Sequence, residues 1–134
     1  MRFMAIVKAT RDYEAGQPPN PELMAAMGKL AIEQAQLGVL IGGGGLLPSR
    51  HGHMIRMSGG KVTVTDGPFT ESKEVIGGFA LLNYATHEEA IAGAHRVMAI
   101  HAQHGITELE MELRPMMEDP ACGPQMPQEA SAAA

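Results

Sequence analysis

The sequence TDGPFTESKE, residues 65–74, separates two β-patterned runs and decides how the chain divides into strands. The run before it, Lys61–Thr65, ends at Asp-Gly-Pro because Pro68 has no N–H to donate and biases Gly67 away from helical geometry. The run after it, Val75–Tyr84, is apolar enough to be a central strand. A loop with three carboxylates and one ammonium between two strands is a typical place for ligand contacts.

Further strands are predicted on both sides of this loop. His53–Ser58 and Lys61–Thr65 flank the dipeptide Gly59-Gly60, which predicts a β-hairpin because both turn residues can take positive φ. Arg2–Ala9 and Ile106–Leu113 alternate in character, which predicts the first and last strands of the domain.

Two segments between the strands have helical patterns. Asn20 can cap the first helix, and apolar residues recur at helical spacing from there to Gly38, after which a short strand follows. Thr86 and Glu89 predict a capping box at the start of the second helix, which ends at Gly105.

The order of elements predicts an α+β protein with a ferredoxin-like sandwich, βαββαβ with an inserted β-hairpin. Both helices would cover one face of a four-stranded antiparallel sheet. Met4, Ile6 and one side of Ile76–Tyr84 would make the other face too apolar for water. We therefore expect a homodimer of the dimeric α/β-barrel type, joined through that face. Residues 1–115 form the predicted domain, and residues 116–134, which lack periodicity, form a predicted tail.

Composition narrows the class of protein. The formal charge of −5 argues against nucleic acid as a partner, because nucleic-acid binding needs clustered Lys and Arg. The single cysteine, Cys122, excludes an internal disulfide and suits a reducing compartment. The chain does not open on a secretory stretch, and no apolar run approaches the roughly 20 residues of a membrane helix. We expect a soluble cytoplasmic protein.

Several short motifs match a known family. They are GVL at 38–40, GLLPS at 45–49, VTVTDGPF at 62–69, ESKE at 71–74, GGF at 77–79 and ELRP at 112–115. Over residues 1–115 the chain resembles the DGPF-domain, YCII-related family of small bacterial proteins. The resemblance implies a ferredoxin-like dimer without an established activity, and frequent association with extracytoplasmic-function sigma factors. Related YCII-like proteins are suspected enzymes with a His–Asp pair in a cleft, and no such pair is evident here at the matching positions.

The polar loop supplies the first candidate site residues. Asp66 is a candidate catalytic residue, and Glu71, Lys73 and Glu74 are candidate substrate-binding residues, since crowded carboxylates and an ammonium can shift one another's pKa. The alternative is structural, with Asp66 capping the following turn and Lys73 pairing with a nearby carboxylate.

Two candidates lie outside the loop. His101 is on the apolar face of the second helix and is the other candidate catalytic residue, as a general base. Arg114 is a candidate substrate-binding residue because a guanidinium can hold a carboxylate with two hydrogen bonds. An ion pair between Arg114 and Glu71 or Glu74 is the alternative.

Two other motifs do not predict a ligand. His51 and His53 alternate, but two imidazoles without a third ligand favour exposed hairpin histidines over a metal site. The run Gly42–Gly45 lacks the Lys-Ser/Thr of a phosphate loop and is interpreted as a bulge, or a close backbone approach at the dimer interface.

The sequence thus predicts a dimer that binds a small polar metabolite and needs no metal or cofactor. If it is an enzyme, Asp66 or His101 moves a proton while Lys73 and Arg114 stabilise negative charge. The rival hypothesis is a non-catalytic regulatory or interaction module, associated with a sigma factor, in which the loop is a structural latch.

Overall fold

The computed structural model describes residues 1–69 and 74–118. Glu71, Lys73 and Cys122, together with the predicted tail from residue 119 onward, lie outside the described residues. In chain order the elements are β1 (Arg2–Lys8), α1 (Arg11–Glu14), α2 (Pro21–Gln36), β2 (Leu40–Gly45), a 3-10 turn (Ser49–His51), β3 (His53–Ser58), β4 (Lys61–Asp66), β5 (Ile76–Asn83), α3 (His87–Gln103) and β6 (Met111–Pro115).

The strands form two separate sheets. Strands β2, β5, β1 and β6 make a four-stranded sheet in that order, and every neighbouring pair is antiparallel. Strands β3 and β4 form a hairpin of their own. The α+β class is therefore confirmed, and this topology is compatible with the ferredoxin-like sandwich and its inserted hairpin.

The core lies between the four-stranded sheet and the helices. Phe3 and Ala5 of β1 pack with Leu82 of β5 and Ala90 of α3, and all four are buried. These side chains alternate with those on the opposite face of β1, as the strand period requires. An ion pair between Glu33 and Arg96 joins α2 to α3. The two helices thus lie side by side over the core.

The predicted helix starts are present, with one difference. The Asn20 side chain accepts hydrogen bonds from the N–H groups of Glu22 and Leu23 at the start of α2. The Thr86 hydroxyl accepts from the N–H of Glu89 at 3.1 Å. The Glu89 carboxylate accepts from the N–H of Ala85 at 3.2 Å, one residue before the cap.

The boundaries differ from the prediction in two places. The last strand begins at Met111 and not at Ile106, because the chain uses residues 106–110 to return from the end of α3 to the edge of β1. The predicted polar connection after β1 contains the short helix α1, which Thr10 caps by accepting a hydrogen bond from Tyr13. The first residues of the predicted tail continue along β1, where the N–H of Arg2 donates to Glu118 at 2.9 Å.

The glycine-rich strand β2 contains the predicted bulge. The register of β2 against β5 shifts between Leu40 and Gly42. At Gly43, φ is 149° and a Cβ would overlap the backbone of Phe79, so a side chain cannot be accommodated there.

The sheet face away from the helices is lined by apolar side chains. Met4 lies opposite Leu81 and Ile6 lies opposite Phe79 across β1 and β5. Met4 and Ile6 are half-buried and Phe79 is exposed. None of the helices in the described part of the chain is long and apolar enough to cross a membrane.

Candidate functional site

A cavity of about 870 Å³ lies between the base of the hairpin and the edge of the four-stranded sheet. Four parts of the chain line it: the connection from β2 to β3, the ends of β3 and β4, the Gly-Pro-Phe turn, and the start of β5. The lining residues are Gly45, Leu46, Leu47, Pro48, Ser49, His51, Gly52, His53, Met54, Arg56, Thr65, Asp66, Pro68, Phe69, Glu74, Val75 and Ile76. The cavity thus combines an apolar wall with a small set of ionisable groups.

A histidine–aspartate pair lies at this cavity. His53 is the first residue of β3 and Asp66 is the last residue of β4, and the antiparallel register places them opposite each other. Nδ1 of His53 is 2.8 Å from Oδ1 of Asp66. Because an ionised carboxylate can only accept, the proton of this hydrogen bond belongs to Nδ1, and Nε2 is left as the free nitrogen of a neutral imidazole. The side chains are 61% and 83% exposed, so the pair is accessible to a ligand.

The Gly-Pro-Phe turn is fixed by a hydrogen-bond network that the sequence did not indicate. The buried Ser49 hydroxyl donates to the carboxylate of Glu14 and accepts from the N–H of Phe69 at 3.0 Å. The Ser49 N–H also donates to Glu14 at 2.9 Å. Gly67 lies so close to Ser49 that a Cβ would overlap the Ser49 carbonyl oxygen. This network restrains the turn on the described side of the loop.

The far side of the loop is fixed by an ion pair. Nζ of Lys8, at the end of β1, lies 3.1 Å from Oε2 of Glu74. The lysine side chain is only 20% exposed, whereas the glutamate side chain is 73% exposed. Glu74 therefore lines the cavity with its carboxylate already partnered by a cation.

The structure brings two of the predicted site residues together and places two others elsewhere. Asp66 and Glu74 both line the cavity. His101 does not line it, and its Nδ1 donates to the carbonyl oxygen of Val97 one turn earlier in α3 at 2.8 Å. Nε of Arg114 lies 3.5 Å from the carboxylate of Glu112, two residues away on β6, and Arg114 does not line the cavity either. Glu71 and Lys73 belong to residues 70–73, outside the described part.

His53 and Arg56 are cavity residues that the sequence analysis did not select. His53 was interpreted as an exposed hairpin histidine, and the His–Asp pair was not evident from the motif positions. In the structure, the antiparallel register of β3 and β4 places His53 opposite Asp66, and their side chains are in hydrogen-bond contact. Across residues 1–69 and 74–118, no group of three His, Cys, Asp or Glu side chains is arranged to hold a metal ion.

Comparison with known proteins agrees with the motif resemblance. A family model described as the YCII-related domain matches residues 1–112, which is most of the chain. No curated protein matches the chain.

Proposed function

We propose that this chain, which belongs to the YCII-related family, binds a small polar metabolite in the cavity beside the hairpin and transfers a proton to or from it. The observation that carries the proposal is the 2.8 Å contact between His53 and Asp66 at the lining of that cavity. An imidazole oriented by a carboxylate is a general acid–base group, since the carboxylate selects the tautomer and stabilises the imidazolium that forms.

The chemistry assigns roles to three of the ionisable side chains that line the cavity. Asp66 holds the Nδ1–H of His53, and Nε2 accepts a proton from the ligand and returns it. Arg56, which lines the same cavity, supplies a cation for a carboxylate or enolate oxygen of the ligand. His101 and Arg114 take no part in this proposal because neither lines the cavity.

Self-association through the open sheet face belongs to the same proposal. Met4, Ile6, Phe79 and Leu81 form a continuous apolar area, and Gly42 and Gly44 of the neighbouring strand add no side chains to it. A Cβ at either glycine would meet nothing within 4 Å, so the surface beside Phe79 is open. A second copy bearing the same face would bury this area.

A non-catalytic interaction module is the second candidate function. The observation in its favour is that the turn is fixed by Ser49 and Glu14, independently of any ligand. In this alternative the chain presents its apolar surfaces to a protein partner, for which the family resemblance suggests a sigma factor.

A ligand screen on the wild type, followed by ligand-binding tests on variants, separates the two functions. Wild-type protein is screened by thermal shift against small carboxylates, keto acids and phosphorylated metabolites, because a bound ligand raises the unfolding temperature. Each stabilising compound is then tested with His53→Gln, with Asp66→Asn, and with the control Thr63→Ala on the neighbouring part of β4. We expect the stabilisation to fall in the first two variants and to persist in the control.

The proton-transfer step has its own measurement. A bound compound with an acidic C–H is incubated in D₂O, and the exchange of that hydrogen for deuterium is followed by NMR. Exchange that needs both His53 and Asp66 supports the enzyme. Ligands that stabilise the two variants as strongly as the wild type, without exchange, would favour the interaction module.

A further inference from the structure

His51 is a second histidine of the cavity, with no role so far in the proton transfer assigned to His53. It is the last residue of the 3-10 turn, two residues before His53, and both side chains line the cavity. Gly52 between them has extended backbone, with φ −110° and ψ −178°. Side chains on either side of one extended residue lie on the same side, and their Cα atoms are roughly 6–7 Å apart. A small ligand can therefore contact both rings at once.

A hydrogen bond fixes which nitrogen of His51 carries the proton. Nε of Arg50 donates to Nε2 of His51 at 3.2 Å. A guanidinium can only donate, so Nε2 is the acceptor and the proton of the neutral ring is on Nδ1. The ring nitrogen that His51 has left for a ligand is therefore an N–H donor.

Arg50 is held in place by the turn that follows α1. Its guanidinium lies so close to Gly16 that a Cβ at that glycine would be 2.7 Å from Nη1. The preceding residue is fixed as well, because the N–H of the buried Ser49 donates to the Glu14 carboxylate at 2.9 Å. The short helix α1 and the turn after it thus support the part of the chain that carries His51.

The two histidines of the cavity offer opposite groups to a ligand. His53 donates its Nδ1–H to Asp66 and has the lone pair of Nε2 left. His51 accepts from Arg50 at Nε2 and has its Nδ1–H left. One ring can accept a proton while the other donates a hydrogen bond. Removal of a C–H proton next to a carbonyl group needs this combination, because negative charge develops on the carbonyl oxygen as the base takes the proton.

We infer that His51 is a second catalytic residue of this site, which donates from Nδ1 to the carbonyl oxygen of the ligand, and that the ligand is an enolisable carbonyl compound. A neutral imidazole can act as the electrophile in an enolisation. The inference rests on the proposed function and names the substrate class of the same site. Arg50 is a positioning residue, since it acts on the ligand only through His51.

The proton and the electrons of the step balance within the site. The C–H bond next to the carbonyl breaks, and the proton forms a bond to Nε2 of His53. The electron pair of that C–H bond becomes the C=C bond of an enolate, and the π electrons of the carbonyl move to its oxygen, where the Nδ1–H of His51 stabilises the charge. Return of the proton from Nε2 to carbon restores the ketone and the neutral base.

The tautomer of His51 is the first test. Long-range ¹H–¹⁵N NMR of full-length protein, at a pH where the ring is neutral, distinguishes a protonated from an unprotonated ring nitrogen. We expect the proton on Nδ1 in the wild type and in the control Arg11→Met, which changes an exposed arginine that does not line the cavity. In Arg50→Met, which keeps the length of the side chain without its donor, His51 should shift towards the Nε2–H form while His53 is unchanged. A proton on Nε2 of His51 in the wild type overturns the inference, and an unchanged tautomer in Arg50→Met overturns the role of Arg50.

Hydrogen exchange in D₂O tests the catalytic role. The probes are pyruvate and hydroxyacetone, which have C–H bonds next to a carbonyl, and the comparison compound is lactate, which has no ketone. The wild type should exchange hydrogens in at least one probe and none in lactate. His51→Phe keeps a ring without an N–H, and we expect exchange to be slower by about 10²–10³-fold, the effect of removing one oxyanion donor. His51→Asn keeps an N–H donor close to the position of Nδ1 and should exchange faster than His51→Phe.

The outcomes separate this inference from the proposed function. Equal exchange by the wild type and His51→Phe, with loss of exchange in His53→Gln, keeps the base and overturns the role of His51. If neither probe exchanges while a compound without a carbonyl stabilises the wild type through His53 and Asp66, the proposed function stands and the substrate class is wrong. If neither probe exchanges and no compound stabilises the protein through these two residues, both are wrong.

Discussion

His53 and Asp66 are 13 residues apart in the sequence and meet at 2.8 Å across the base of the hairpin. Both side chains are largely exposed, and ion pairs between exposed groups contribute little to stability because water screens them. In the proposed function, the contact therefore matters because it orients the His53 imidazole for a ligand.

A double-mutant cycle separates these effects. We expect His53→Gln and Asp66→Asn each to change the free energy of unfolding by about 0.5 kcal/mol, with a coupling energy of about 1 kcal/mol or less. Urea denaturation monitored by circular dichroism measures both quantities. A loss of several kcal/mol in Asp66→Asn would instead assign Asp66 to the structural latch.

The His–Asp pair could have been predicted from the sequence. The Gly59-Gly60 turn was identified, and a two-residue turn pairs Ser58 with Lys61. Counting outward along both strands then pairs His53 with Asp66. A second strand that ends at Thr65, as the sequence pattern predicts, leaves Asp66 in the loop and lacks this last pair, whereas β4 extends to Asp66.

The rest of the site could not be predicted in this way. Glu14 and Ser49 are 35 residues apart, and both lie in connections where no period or register fixes the geometry. His101 was correctly placed near the end of a helix, but the pattern of a helix does not show which end of the sheet it approaches. Arg114 lies opposite Met4 in the register and so shares the open face of the sheet.

The close approach at Gly67 predicts a large effect for a small substitution. Gly67→Ala would drive a Cβ into the Ser49 carbonyl oxygen, which is backbone and cannot move aside cheaply. We expect a loss of about 1–3 kcal/mol, the range for overpacked sites. Gly28→Ala is the control, because a Cβ there meets nothing within 4 Å and alanine favours the helix. The prediction is wrong if urea denaturation gives both variants the stability of the wild type.

Ser49 should control the mobility of the Gly-Pro-Phe turn. Ser49→Ala removes the acceptor for the N–H of Phe69 and the hydroxyl donor to Glu14. We expect a loss of about 1–2 kcal/mol, since the half-buried Phe69 N–H and the half-buried Glu14 carboxylate each lose a hydrogen-bond partner. Hydrogen exchange at the Phe69 amide should accelerate more than exchange at Gly67, whose N–H donates to the Gly52 carbonyl oxygen at 2.9 Å. Unchanged exchange at Phe69 would show that the turn is held by other contacts.

The ion pair between α2 and α3 predicts a pH dependence of stability. The hydrogen bond from Arg96 lowers the pKa of Glu33 below its ordinary value of 4.5. A lowered pKa in the folded state stabilises the protein above pH 4.5, and this contribution disappears as the pH falls through the folded pKa. We therefore expect Glu33→Gln to be slightly less stable than the wild type at pH 7, with the difference vanishing in acid.

Thermal unfolding from pH 7 to pH 3 measures the difference. The matched control is Glu108→Gln, because Glu108 forms no ion pair with any residue that the structure describes. Its stability relative to the wild type should not show the same acid-dependent convergence. A Glu33→Gln difference that grows as the pH falls would have the wrong sign and would contradict the assignment.

The open sheet face makes the last prediction, for self-association. Phe79 is exposed at its centre, opposite the half-buried Ile6, so Phe79→Glu places a carboxylate where a second copy would pack. We expect the dissociation constant of that dimer to rise by at least about 100-fold, which corresponds to roughly 3 kcal/mol, while the fold is kept. Ile91→Glu is the matched control, since Ile91 is 50% exposed on α3, away from the open face. Sedimentation of both variants over a range of concentrations measures the shift. Equal dimer dissociation constants for the wild type and Phe79→Glu would show that this face does not join two chains.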